Sequence, residues 1–84
     1  MNRKDIIKEY IDAQKYIEIK IKYFLNNDIS LSNLVGLFNY YIELQSNCFT
    51  NKSNYELEED LIRIFKKVLI EVDYLEDKKI LIKK

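Results

Sequence analysis

Chemistry in this chain would have to come from one thiol, Cys48, and from carboxylates, four of which crowd into "ELEED" as Glu56, Glu58, Glu59 and Asp60; the sequence holds no His. Without imidazole, the commonest general base and the usual activator of a nucleophile are missing. Cys48 falls among apolar residues at helical spacing, where a thiol packs as a small hydrophobe rather than reacts. Zinc sites of the Cys/His type are excluded, and the carboxylate metal sites of helical bundles rely on Glu-x-x-His, which this chain cannot supply. A single glycine, Gly36, makes no phosphate-cradling loop. The expectation is a non-enzyme with no catalytic, cofactor-binding or metal-binding residues.

The carboxylates have two readings. Near the start of a helix, each stabilises the positive dipole end by about 0.3–1 kcal/mol. Alternatively they form an acidic patch for a basic partner. On a helical wheel Glu56, Asp60, Arg63 and Lys67 share an outer face with Ile70 and Tyr74, and a Tyr ringed by charges is a plausible binding hot spot.

Three helical segments position these groups, separated by the polar gaps "NNDIS" and "TNKSN". The first helix is expected from Arg3 to Leu25. Asn2 caps it, Asp5 sits near its positive end, and Asn26 and Asn27 mark its exit. Steps of 100° place Ile6, Tyr10, Ala13, Ile17, Ile21 and Phe24 on one face. The second helix is expected to start after Asp28 or Ser30 and to run to about Cys48. Its apolar residues, Leu31, Leu34, Val35, Leu37, Phe38, Tyr41, Ile42, Leu44, Cys48 and Phe49, cover roughly half the circumference. That is broader than the ~100° stripe of an ordinary surface helix. It must lie centrally or bury a second side against another chain. Gly36 costs about 1 kcal/mol relative to Ala unless something approaches its backbone closely.

The third helix has the clearest start: Ser53 and Glu56 stand at capping-box spacing. Leu57, Leu61, Ile64, Phe65, Val68, Leu69, Val72 and Leu75 then make a continuous face. The tail "DKKILIKK" could extend this helix, form a short strand or fray. The reading is all-α: a three-helix antiparallel up-down-up bundle over residues 1–84, with a possible short fourth C-terminal element.

A chain of 84 residues is one domain at most. It buries only about 60% of its unfolded surface, so helix packing or a partner must supplement the core. One Cys allows no internal disulfide, and 48% apolar with 33% charged residues excludes disorder. No apolar run is long enough to span a membrane, and "MNRKDIIKEY" lacks a signal-peptide core. An unpaired Cys fits a reducing compartment, so a cytoplasmic location is expected. Abundant Lys, Ile, Asn and Tyr is associated with AT-rich genomes, bacterial or phage.

Net charge is zero, with 14 basic and 14 acidic residues, but it is unevenly spread. Residues 55–76 carry seven acids and three bases, whereas 77–84 carry four Lys and one Asp. A nucleic-acid binder would show a broad basic face, which the short tail does not provide. A solvated C-terminus is expected there rather than a membrane anchor.

Residues 16–23, "YIEIKIKY", alternate apolar and charged residues like a half-buried strand. The longer periodicity from Ile6 to Phe24 makes them helical instead. Ile17 and Ile21 then join the core, and Tyr16, Ile19 and Tyr23 form a second stripe opposite. That stripe is either ordinary exposed surface or a partner-binding patch, Tyr being enriched at interfaces.

The segments "YFLNNDISLSNLVGLF" and "ELEEDLIRIFKKVLIEVDYL", within residues 16–75, resemble the layout of small all-helical immunity proteins of the colicin D type. The resemblance implies a cytosolic inhibitor whose acids enter a basic toxin active site, with Glu58, Glu59, Asp60 and Asp73 as the matching candidates. Such proteins are usually acidic, whereas this chain is neutral. Pediocin-type immunity proteins share the helical, highly charged character but have four helices, and a phage-encoded inhibitor of a host enzyme would look similar. The leading expectation is an immunity protein or antitoxin that binds a toxin or enzyme through Tyr16, Ile19, Tyr23, Glu56, Glu58, Glu59, Asp60, Ile70, Asp73 and Tyr74. The alternative is a homo-oligomeric structural or regulatory protein, of phage or mobile-element origin, joined through the second helix and the Tyr16/Ile19/Tyr23 stripe.

Overall fold

In the computed structural model, which describes the backbone of residues 2–83 and side chains of residues 2–79, three α-helices form the predicted bundle. They are α1 (Arg3–Leu25), α2 (Val35–Asn47) and α3 (Asn54–Lys83), with a short 3₁₀ helix at Leu31–Leu34 leading into α2. Each helix packs on both others. The molecule measures 47 × 17 × 16 Å, and its long axis matches the ~45 Å expected for a helix as long as α3 at 1.5 Å per residue.

The α1 reading holds in detail. Asn2 Oδ1 accepts from the Asp5 amide at 2.9 Å. All six core residues on its inner face are buried. Its exit is a Schellman-type turn in which the Ile29 amide donates to the Phe24 carbonyl at 3.0 Å, five residues back. That closure requires a left-handed residue, and Asp28 supplies it at φ 68°. It also delivers Ile29, 2% exposed, into the core. Asp tolerates this conformation better than most residues but carries a Cβ that Gly lacks. Asp28→Gly is therefore expected to stabilise the fold by about 0.5–1 kcal/mol, read as a raised midpoint in urea unfolding at constant slope.

The second helix differs from expectation. Residues 31–34 wind as 3₁₀, and the α-helix begins only at Val35. No side chain caps either start, so nothing local selects the α geometry at Leu31. Gly36 has a clear reason. A Cβ there would lie 3.1 Å from the Glu71 carboxyl group, so the missing side chain admits a carboxylate from α3 beside the first turn of α2.

Ser53 starts α3. Its Oγ accepts from the Glu56 amide at 3.2 Å and also donates to Glu56 Oε1 at 3.3 Å. The carboxylate thus meets the Ser hydroxyl rather than the Ser53 amide of the full capping box. The helix continues without a break through the tail to Lys83, which resolves the alternatives for that segment in favour of extension; no separate fourth element forms among the described residues. The side chains of residues 80–84, including the last two tail lysines, lie outside the described residues. Lys78 and Lys79 fold back instead. Lys78 donates to Asn33 Oδ1, and Lys79 donates to the Tyr23 hydroxyl and lies 3.5 Å from a Glu76 carboxylate oxygen. No described helix is long and apolar enough to cross a membrane.

A polar network runs from the core to the surface where the helices converge. The buried Tyr10 hydroxyl donates to the Leu57 carbonyl at 2.7 Å and accepts from Asn47 Nδ2 at 3.4 Å. Asn47 Oδ1 in turn accepts from Lys52 Nζ at 3.3 Å, and Lys52 pairs with Asp60 at 2.6 Å. Arg63 bridges Asp60 at 3.5 Å and Glu43 at 3.1 Å. The network links α1, both ends of the α2–α3 connection and the first turns of α3. No buried side-chain nitrogen or oxygen among the described residues lacks a partner.

Candidate functional site: an apolar cleft between α1 and α3

Ala13 is the one small residue on the inner face of α1, and it leaves a gap that its neighbours do not fill. A cleft of about 430 Å³ opens there between α1 and α3. Tyr16 and Phe65 form one wall, their ring centroids 5.4 Å apart and tilted by 58°. Leu61 lines the cleft, and the exposed side chains of Ile62 and Leu69 make its apolar lip. A smaller hollow lined by Glu9, Glu58, Leu61 and Ile62 continues from it. The rim is charged by Glu9 and Asp12 of α1 and by Glu58 and Lys66 of α3, so it carries three acids against one base.

These rim carboxylates make no ion pair among the described residues, in contrast with Asp60. Lys52 holds Asp60 below the usual carboxylate range by a direct hydrogen bond, and Arg63 adds to it. A depressed folded-state value stabilises the fold fully above about pH 4, and the gain is lost as pH falls through that lowered value. Asp60→Asn is therefore expected to flatten the acid limb of the Tm–pH profile below about pH 4. An unchanged acid limb would remove this pair from the account of acid stability.

The sequence-derived candidates separate in space. Tyr16, Ile19 and Tyr23 do not stand opposite the rest of the chain, because α3 meets two of them. Tyr16 packs on Phe65, and the Lys79 ammonium lies 4.6 Å from the Tyr23 ring centroid. Lys20 also approaches the Tyr16 and Tyr23 rings, at 5.7 and 5.4 Å. Ile19 alone stays open, 65% exposed. Of the stripe, Tyr16 alone lines the cleft. Of the acidic cluster, only Glu58 comes near the cleft, lining the smaller hollow beside it. Glu56 is engaged at the α3 cap, Glu59 is exposed, and Asp60 belongs to the network on the α2 side. Ile70, Asp73 and Tyr74 are exposed, with Lys78 over the Tyr74 ring at 5.9 Å. Arg63 ties to Glu43 of α2, so the outer face imagined around Asp60, Arg63 and Tyr74 is partly occupied within the chain.

Glu9 and Asp12 were not among the expected site residues. Ala13 was the available signal: a small residue on a core face, with Glu9 four positions before it and Tyr16 three after, leaves a hole beside a carboxylate.

Cys48 is half-buried. Gln14 Nε2 approaches its sulfur at 3.7 Å, and the thiol donates to the Leu44 carbonyl at 3.6 Å. Burial pushes its pKa up, which keeps it a neutral thiol at physiological pH. No described group of three or more Cys, Asp or Glu side chains is arranged to hold a metal ion. No protein-family model, curated protein or solved structure matches this chain.

Proposed function

We propose that this protein is a non-enzymatic inhibitor of the immunity or antitoxin kind, acting by stoichiometric binding to a bacterial or phage-related toxin or enzyme in the cytoplasm. Its cleft takes an apolar segment of the target flanked by Lys or Arg. The carrying observation is an open apolar cleft with an adjoining hollow, edged by three carboxylates, Glu9, Asp12 and Glu58, that make no ion pair among the described residues. Helix-in-groove recognition needs these features: pockets for apolar anchors and a polar rim that fixes register. Uncommitted charges on the rim select the partner by sign and speed its approach.

The resemblance to colicin D-type immunity proteins placed the burden on Glu58, Glu59, Asp60 and Asp73. Glu58 retains that role here, joined by Glu9 and Asp12. Asp60 acts in stability instead, because its charge is already matched.

The test is a titration. A toxin or nuclease encoded beside this chain is expected to form a 1:1 complex with it and to lose activity at equivalence. Full activity of that enzyme under excess of this protein would overturn the proposal.

A further inference from the structure

We infer that the outer face of α2 is a self-association surface on which a second copy of this chain packs antiparallel about a twofold axis near residue 40. This inference stands whether or not the cleft binds an inhibitor target.

Leu31, Val35, Phe38, Ile42 and Phe49 recur at intervals of four, three, four and seven, the heptad spacing of a helix–helix seam; Val35, Phe38 and Ile42 lie on α2, Leu31 on the 3₁₀ turn before it and Phe49 two residues past its end. The inward-facing Leu34, Leu37 and Leu44 carry the contact with α1 and α3, and the five seam residues are 39–85% exposed. The broad apolar face of this helix is therefore not satisfied within one chain.

Charge identifies the occupant. Residues 30–51 contain one charged residue, Glu43, in a chain that is 33% charged. Glu43 is already paired with Arg63. A face without charge offers nothing to select a basic or acidic partner, and two copies of it meet without like-charge repulsion. The other exposed apolar residues, including Ile11, Ile19, Ile62 and Leu69, stand among Lys and Glu and lack this property.

Register follows from the spacing. Antiparallel pairing of α2 about residue 40 sets Phe38 against Ile42 of the second copy, with Leu31 and Phe49 flanking the seam at its ends. Val35 then faces Gln45, the one polar position in the repeat. The helix dipoles oppose, which favours this direction over a parallel one. A twofold interface of this kind is isologous and closes. The seam exposes on the order of 500 Å² per chain. With Ser32, Asn39 and Ser46 alongside, that approaches the ~800 Å² per partner of a stable interface.

Sedimentation velocity on the full chain, from micromolar to millimolar concentration, tests this. A concentration-dependent dimer is expected. Ile42→Lys or Phe38→Glu alone is expected to raise its dissociation constant at least about a hundredfold, with helical circular dichroism retained because both side chains are exposed. Mixing the two variants is expected to restore a dimer, since antiparallel packing places position 38 of one copy against position 42 of the other. Any of these results would overturn the inference: a monomer at millimolar concentration, a dimer indifferent to both substitutions, or charge-swapped variants that fail to recombine while each stays folded. A dimer broken by Ile62→Glu but not by Ile42→Lys would assign self-association to the cleft and likewise overturn it.

Discussion

Tyr10→Phe is expected to lower the unfolding free energy by about 1–3 kcal/mol, and Tyr10→Ala by about 3–5 kcal/mol. Tyr10 is fully buried, so its hydroxyl can be satisfied only by protein. Removing that oxygen strips the Leu57 carbonyl of its side-chain donor and leaves Asn47 Nδ2 without its acceptor. A buried donor left unpaired costs its full desolvation penalty, whereas losing both partners together costs far less. The double variant Tyr10→Phe with Asn47→Leu should therefore be less destabilised than the sum of the two singles. A chain of this size has roughly 4–13 kcal/mol in total, so Tyr10→Ala is expected to leave a substantial unfolded fraction in mild urea. The same burial raises the Tyr10 phenol pKa. Its stabilisation is full below about pH 10, the unfolded value, and is lost as pH rises through the higher folded one. Absorbance titration should show phenol ionisation above the ordinary tyrosine range that is reduced in Tyr10→Phe. Strict additivity of the two single variants in urea unfolding would remove the coupling claimed for this network.

Loss of target binding is the second large effect. Ile62→Glu with Leu69→Glu is expected to weaken the inhibited complex at least about a hundredfold, while stability changes by less than about 1 kcal/mol because both side chains are exposed. Two carboxylates on the apolar lip remove the anchoring surface and must be desolvated if the target still docks. Neutralising the rim with Glu9→Gln, Asp12→Asn and Glu58→Gln acts differently. The apolar anchors remain, so the expected change lies mainly in the association rate and in its salt dependence. Asp60→Asn and Phe38→Glu serve as controls on other surfaces. Isothermal titration of the toxin complex and stopped-flow association at two ionic strengths read both effects. Tight binding by the Ile62→Glu/Leu69→Glu variant would move the target off this cleft.

Periodicity together with the cap signals at Asn2 and Ser53 placed α1 and the start of α3, but not the start of α2, which is preceded by a 3₁₀ turn over Leu31–Leu34. The inner face of α1 was complete from that periodicity, from Ile6 to Phe24. The same rule made "YIEIKIKY" helical despite its alternation. It did not find Asn47, since a polar residue near a helix end reads as exposed until Tyr10 is known to lie against it. Nor could it locate Ile29, whose burial depends on the left-handed turn at Asp28.

The acidic cluster shows where local reading ended. Successive helical positions are 100° apart, so Glu58, Glu59 and Asp60 were certain to diverge. Which of them met a partner inside the fold depended on Lys52 and Arg63, and Lys52 arrives through a connection whose path no local pattern specifies. Composition and periodicity by themselves determined an all-helical chain with no His. Tertiary structure alone decided that Ala13 opens a cleft, that Glu9, Asp12 and Glu58 beside it make no ion pair among the described residues, and that the outer face of α2 is left uncovered by them. The reason is physical: a helix repeat states which residues point the same way, but only the packing of three helices decides which of those directions another helix fills.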